Sequence, residues 1–178
     1  MFDGTNHASI ALPTFIFHHT FAIHSWLYPF TNGSNRYVFS KDRNDFTSAD
    51  TSKHFTFVID TDNKPLINMA KDSDPTTTYN FKGDSTYDED TWVYSIISVK
   101  MFYGFSTELS FYKNNYISGS MITGPIFMID FAAYPAYVAA HRSGTSTWSS
   151  DYFEGYIYEF HIYNEEYSRG ATHYLSTG

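Results

Sequence analysis

The side chains able to do chemistry in this sequence are its carboxylates and histidines, and their spacing argues against catalysis. A retaining glycosidase needs two carboxylates about 5–5.5 Å apart. No Glu-x-Asp-x-Glu or Glu-x-Asp-x-x-Glu pattern occurs. Asp88-Glu89-Asp90 is contiguous, so its side chains splay apart, and Glu159 is alone in its run. No nucleophile-elbow Gly-x-Ser-x-Gly is present to support a serine triad. Among the eight histidines, His18 and His19 are adjacent and would face opposite sides of a strand, and no His-x-x-x-His pair occurs. With no cysteine, disulfides, thiolate metal sites and a cysteine nucleophile are all excluded.

Calcium needs only oxygen ligands. Asp60-Thr61-Asp62-Asn63 begins like a calcium loop, but Lys64 and Pro65 follow where a ligand and a glycine are wanted, and no Glu closes it. A hairpin turn explains that stretch better. The densest acidic group is Asp84, Asp88, Glu89 and Asp90, in a polar segment read as a loop over 80–90. Asp84, Asp88 and Asp90 are the calcium candidates, set against a plain solvated loop. Asp3 and Asp130 could join a rim site, although the sequence does not bring them together. No cofactor is required, and calcium is the one ion these residues suggest.

Recognition chemistry is better represented. In Phe21-Ala22-Ile23-His24-Ser25-Trp26-Leu27-Tyr28 the alternation sets Phe21, Ile23 and Leu27 on one face and His24, Trp26 and Tyr28 on the other. In the last strand, over 156–163, Tyr158, Phe160 and Ile162 oppose Ile157, Glu159, His161 and Tyr163. If both strands contribute to a concave sheet, His24, Trp26 and Tyr28 share a surface with Glu159, His161 and Tyr163. A sugar suits such a surface, because its C–H face stacks on an aromatic ring while its hydroxyls pair with Glu and His. The other placement puts Trp26 in the core or beneath a loop, as is usual for large aromatics. A second surface is the loop from Tyr134 to Tyr152, with His141, Arg142, Trp148 and Asp151 at the rim. Binding residues often sit on such loops.

The elements that must position these residues read as strands. Aromatics make up 20% of the 178 residues, and the runs are short, β-prone and broken by Gly, Asn, Asp, Ser and Pro. Further strands are expected at 37–40, 55–60, 66–69, 92–101, 108–112, 126–131 and 137–140. Lys113-Asn114-Asn115 makes a hairpin turn, since Asn tolerates positive φ. A terminal turn or helix fits 165–175. The length suits one domain spanning 1–178, and no internal repeat or linker divides it.

Charge and hydropathy narrow the partners. The formal net charge is -8 and the eleven Lys and Arg residues are scattered, so nucleic-acid binding is not expected. No stretch approaches the eighteen apolar residues of a membrane-spanning helix. The apolar run over 8–17 lacks a basic leader, so a secreted form would be a processed chain or an excised domain. Asn32-Gly33-Ser34 is a glycosylation sequon in a turn-like stretch, which offers mild support for a secretory route.

Four landmarks in order then resemble the laminin-G-like branch of the concanavalin A-like lectin/glucanase superfamily, almost end to end. They are Phe2-Asp3-Gly4 with Ile10 and Leu12; Phe21-Ala22-Ile23-His24-Ser25-Trp26-Leu27-Tyr28-Pro29 followed by Val38-Phe39-Ser40-Lys41; Trp92, Tyr94 and Val99 leading to Leu109-Ser110-Phe111-Tyr112-Lys113-Asn114-Asn115; and Phe153-Glu154-Gly155-Tyr156-Ile157-Tyr158-Glu159-Phe160-His161-Ile162-Tyr163-Asn164. Asn115 replaces the family's usual glycine. The resemblance implies an all-β jelly roll, an antiparallel sandwich of two curved sheets. It also implies an extracellular or cell-surface module that binds glycans or proteins, often beside calcium. The leading expectation is therefore a non-catalytic, lectin-like glycan-binding module. A structural or adhesive domain that assembles with protein neighbours in a coat, matrix or filament is the alternative, and a glycoside hydrolase comes third.

Overall fold

The computed structural model describes residues 1–10, 20–31, 33–41, 55–70, 78–102, 105–124, 136–140 and 152–163. Its strands, in chain order, are β1 (Phe2–Asp3), β2 (Ala8–Ile10), β3 (Phe21–Pro29), β4 (Arg36–Lys41), β5 (Phe55–Ile59), β6 (Pro65–Ala70), β7 (Thr78–Lys82), β8 (Val93–Phe102), β9 (Ser106–Lys113), β10 (Tyr116–Thr123), β11 (Ala136–Val138) and β12 (Glu154–Tyr163). They form two six-stranded antiparallel sheets, ordered β1-β12-β3-β8-β9-β10 and β2-β11-β4-β5-β6-β7. The fold is thus the all-β sandwich expected from the sequence, and no helix among the described residues is long and apolar enough to cross a membrane. The expected strand over 126–131 and the terminal turn or helix lie outside the described residues.

Alternation decides which side chains enter the space between the sheets. Phe21, Ile23 and Leu27 of β3, Ile97 and Val99 of β8, and Leu109 and Phe111 of β9 meet Phe39, Phe55, Phe57, Ile67 and Phe81 of the other sheet in one buried cluster. Three ring pairs tie the sheets together: Phe21 with Phe55 at 5.6 Å, Phe39 with Phe160 at 5.5 Å and Phe81 with Phe111 at 4.8 Å between centroids. Each fully buried large apolar side chain contributes on the order of 1.5–3 kcal/mol.

The turns follow their residues. Asn114 and Asn115 both take positive φ, 51° and 67°, and Tyr116 pairs with Lys113, which makes the tight two-residue hairpin the sequence suggests. Asp60 Oδ1 accepts the backbone N–H groups of Asp62 and Lys64, closing the β5–β6 turn. One expectation needs correction. The polar stretch read as a loop over 80–90 begins inside β7, which pairs with β6 from Leu66↔Lys82 to Ala70↔Thr78. As an end strand of its sheet, β7 sends Phe81 into the core while its alternate positions carry Asn80 and Lys82.

Candidate functional site: the outer face of the β3–β12 sheet

β3 and β12 are hydrogen-bonded neighbours, so the two strands singled out from sequence share one sheet. Their contact has two stretches of register, Gly155↔Pro29 to Tyr158↔Trp26 and His161↔His24 to Tyr163↔Ala22, separated by a bulge. The bulge falls on Glu159, which has a φ of 53°, unusual for a residue with a side chain. An inserted residue reverses the alternation, and this corrects the expected facing of β12. Ile157 packs toward the core before the bulge, and Phe160 and Ile162 do so after it. Tyr158 is exposed on the opposite face, away from Phe160 and Ile162. The face directed away from the core therefore carries Tyr156, Tyr158, His161 and Tyr163 of β12 beside Tyr28, Trp26 and His24 of β3. β8 extends it, since Trp26 pairs with Tyr94 and His24 with Ile96.

The result is a ladder of cross-strand rows. One row is Tyr28 and Tyr156, whose rings lie 5.8 Å apart edge to face. Trp92, just before β8, adds to it at 5.4 Å from Tyr28, and Phe30 at 5.5 Å from Tyr156. The second row is Tyr94, Trp26 and Tyr158, with Trp26 tilted over Tyr94 at 5.0 Å. A third row is Ile96, His24 and His161. Trp92, Tyr156 and Tyr158 are 43%, 40% and 61% exposed. Trp26 is half-buried on this face and does not belong to the core.

The His24 row is the polar end. His24 is buried, its Nδ1 lies 2.8 Å from the Tyr94 hydroxyl, and the Tyr163 ring stands edge-on at 4.8 Å. Removal from water, together with His161 nearby, pushes its pKa down to about 4, so His24 is neutral at physiological pH. His161 is exposed and stacks on Tyr163 at 5.9 Å. Glu159 is exposed at the bulge between the Trp26 and His24 rows. All six residues predicted on these two strands are thus in one sheet.

Sequence reasoning missed what holds the opposite end. Arg36 of β4 is 1% exposed; it donates to the Phe30 carbonyl at 2.7 Å and to the Asn63 side chain, and lies 3.7 Å from Glu89. Burial depresses its pKa, and Glu89, Asp60 and Glu154 counteract that shift. The Phe30 N–H donates to the Glu154 carbonyl and the Asp90 N–H to the Pro29 carbonyl, which fixes the segment beneath the aromatic end. Trp92 and Tyr156 were also missed as surface residues, although Trp92 keeps the parity of Tyr94.

Other candidates fare differently. Asp88 pairs with Lys113 at 2.8 Å, while Asp84 and Asp90 are exposed. Among the described residues no group of three or more His, Asp or Glu is placed to hold a metal ion. His141, Arg142, Trp148, Asp151, Asp130 and the sequon residue Asn32 lie outside the described residues.

The fold and register agree with the class of the sequence: the chain belongs to the concanavalin A-like lectin/glucanase superfamily, matched by its laminin-G family model over residues 2–170. Among solved structures it is similar to the CBM40 module of a Ruminococcus gnavus IT-sialidase, solved bound to α2,3-sialyllactose, with a TM-score of 0.70, 11% identity and 96% of each chain covered. It is also similar to a heptameric pentraxin from Limulus polyphemus, with a TM-score of 0.59, 9% identity, and 89% of this chain and 70% of that one covered. The botulinum neurotoxin serotype C1 binding domain matches with a TM-score of 0.62 and 16% identity, over 91% of this chain and 37% of that one. At such identities the likeness concerns the fold. No curated protein sequence matches this chain.

Proposed function

We propose that this chain is a non-catalytic glycan-recognition module acting outside the cell or at its surface, with the sugar seated on the outer face of the β3–β12 sheet. The observation that carries the proposal is the aromatic ladder, in which large rings remain exposed on regular, hydrogen-bonded strands. Exposed aromatics on a rigid sheet are costly unless something covers them. A sugar's C–H face covers a ring, and Glu159, His161 and the Tyr hydroxyls offer partners for its hydroxyls. The carbohydrate-binding modules among similar folds support the same reading. His141, Arg142 and Trp148, outside the described residues, remain a second candidate binding group from the sequence, and Asn32 a candidate glycosylation site.

The non-catalytic part rests on the neighbours of Glu159. Across β3 and β8 the flanking positions hold Ser25, Trp26, Tyr94 and Ser95, so among the described residues no second carboxylate stands beside it in the register. A glycan array tests the function, using wild type and Trp26→Ala. Signals lost in the variant are expected; silence from a folded wild type would refute glycan recognition.

Assembly with protein neighbours is a second reading, favoured by β10. This edge strand exposes Tyr116, Ile117 and Ile122 at 70%, 61% and 72%. Light scattering at high concentration separates the readings, because a strict monomer has no use for that edge.

A further inference from the structure

We propose that the ladder takes an uncharged oligosaccharide lying along the strands and rejects sialylated or sulfated glycans. This inference rests on the glycan reading above and specifies its ligand.

Charge is the first argument. Recognition of a carboxylate or sulfate calls for Arg or Lys, typically as a bidentate or charge-assisted pair. Of the six described Lys and Arg residues, five lie off this face. Arg36 is buried beneath Phe30, and Lys41 is buried in the other sheet. Lys82 is held by Asp60 and Asp62 at 2.5 Å, and Lys113 by Asp88 and the Thr86 carbonyl. Lys64 stands at the β5–β6 turn of the opposite sheet. Lys100 is on the same face as the ladder but two rows beyond His24, with its ammonium over the Phe102 ring at 5.3 Å. His24 adds no cation, being neutral at physiological pH.

Among the described residues the charges around the ladder are instead negative. Glu159 interrupts the ladder at the bulge, and at the aromatic end Asp90 and Glu154 are tied to Pro29 and Phe30 by backbone hydrogen bonds. An anionic sugar would lose hydration without gaining a counter-charge from the described residues, whereas a neutral one meets acceptors suited to its hydroxyls.

Geometry is the second argument. Rows on one face of a sheet are two residues apart, about 7 Å, so the exposed Tyr156 and Tyr158 rings lie on adjacent rows, and the next row adds only the His161 ring, Ile96 and His24 being buried. Stacking surface is therefore offered at successive positions along one line. A monosaccharide covers one row; an oligosaccharide covers several, gaining affinity with each ring until the ladder is filled.

The test combines an array of uncharged, sialylated and sulfated glycans with calorimetry on an uncharged oligosaccharide series of one to six units. Uncharged glycans are expected to bind, with affinity rising over the first few units and then levelling. Tyr158→Ala and Trp92→Ala, checked for folding by circular dichroism, should each weaken the longer ligands by about tenfold while leaving their preference for neutral sugars intact. Binding confined to sialylated or sulfated glycans would overturn this inference and leave the glycan reading standing. So would equal affinity for one and six units. No binding to any glycan by the folded protein would overturn both.

Discussion

The two faces of the β3–β12 pair are both rich in rings, yet they do different work. On the inner side Phe21, Ile23 and Leu27 meet Phe39, Phe55 and Phe160 with no exposure left in the β3 residues. On the outer side Trp26, Tyr28, Tyr156 and Tyr158 retain part or most of theirs. Composition is similar; coverage is not. The inner rings stabilise by being buried, and the outer ones are arranged by the same backbone register without being needed to hold it. Substitutions should therefore separate stability from recognition according to the face they touch.

The largest effect is expected where both faces depend on one backbone contact. Gly155 has a φ of 140°, and a Cβ there would collide with the Tyr28 carbonyl oxygen. Gly155→Ala should cost about 4 kcal/mol or more, or prevent folding, read from denaturant midpoints or soluble yield. Next comes the inner face: Leu27→Ala, at a fully buried site, should cost about 2–5 kcal/mol while leaving sugar affinity unchanged under conditions where the variant is folded.

A pH dependence should follow from His24. Its pKa is about 4 in the folded chain against an ordinary 6.5, so between those values the unfolded chain takes up a proton that the folded chain does not. This contribution to stability is present above pH 6.5 and is lost as the pH falls toward 4. The loss amounts to at most about 3 kcal/mol. Urea unfolding of wild type and His24→Gln at pH 7 and pH 4.5 should show the smaller decline in the variant. The smallest stability effect belongs to the outer face, where Tyr158→Ala should change unfolding free energy by about 0.5 kcal/mol or less despite weakening glycan binding.

Much of the fold was legible because its signals are local. The alternation from Phe21 to Tyr28 fixed which residues of β3 face the core, and Asn114-Asn115 marked a turn needing positive φ. The aspartate turn before Pro65 was equally direct. What was less legible depends on distant partners. β7 is an end strand with Asn80 and Lys82 among its few residues, so its polarity resembles a loop until β6 is seen beside it. The bulge at Glu159 leaves a sequence that still looks alternating, and only the pairing with β3 reveals the reversal. Tyr87, in the same polar stretch, is fully buried, with its hydroxyl 2.7 Å from the Ser95 Oγ. Arg36 likewise resembles a surface residue until Phe30, Asn63 and Glu89 converge on it.

For the site, the sequence supplied His24, Trp26, Tyr28, Glu159, His161 and Tyr163, and the structure places all six in one sheet. Trp92 and Tyr156 escaped notice because a strand's first residues carry weak alternation.

The most direct measurement is an NMR titration with an uncharged oligosaccharide, following the indole N–H signals of the three tryptophans. Saturable shifts of the Trp26 and Trp92 signals are expected, along with the backbone amides of Tyr158 and His161. Binding that leaves both of those indoles and the β12 amides unmoved would contradict the assignment of the sugar to this face.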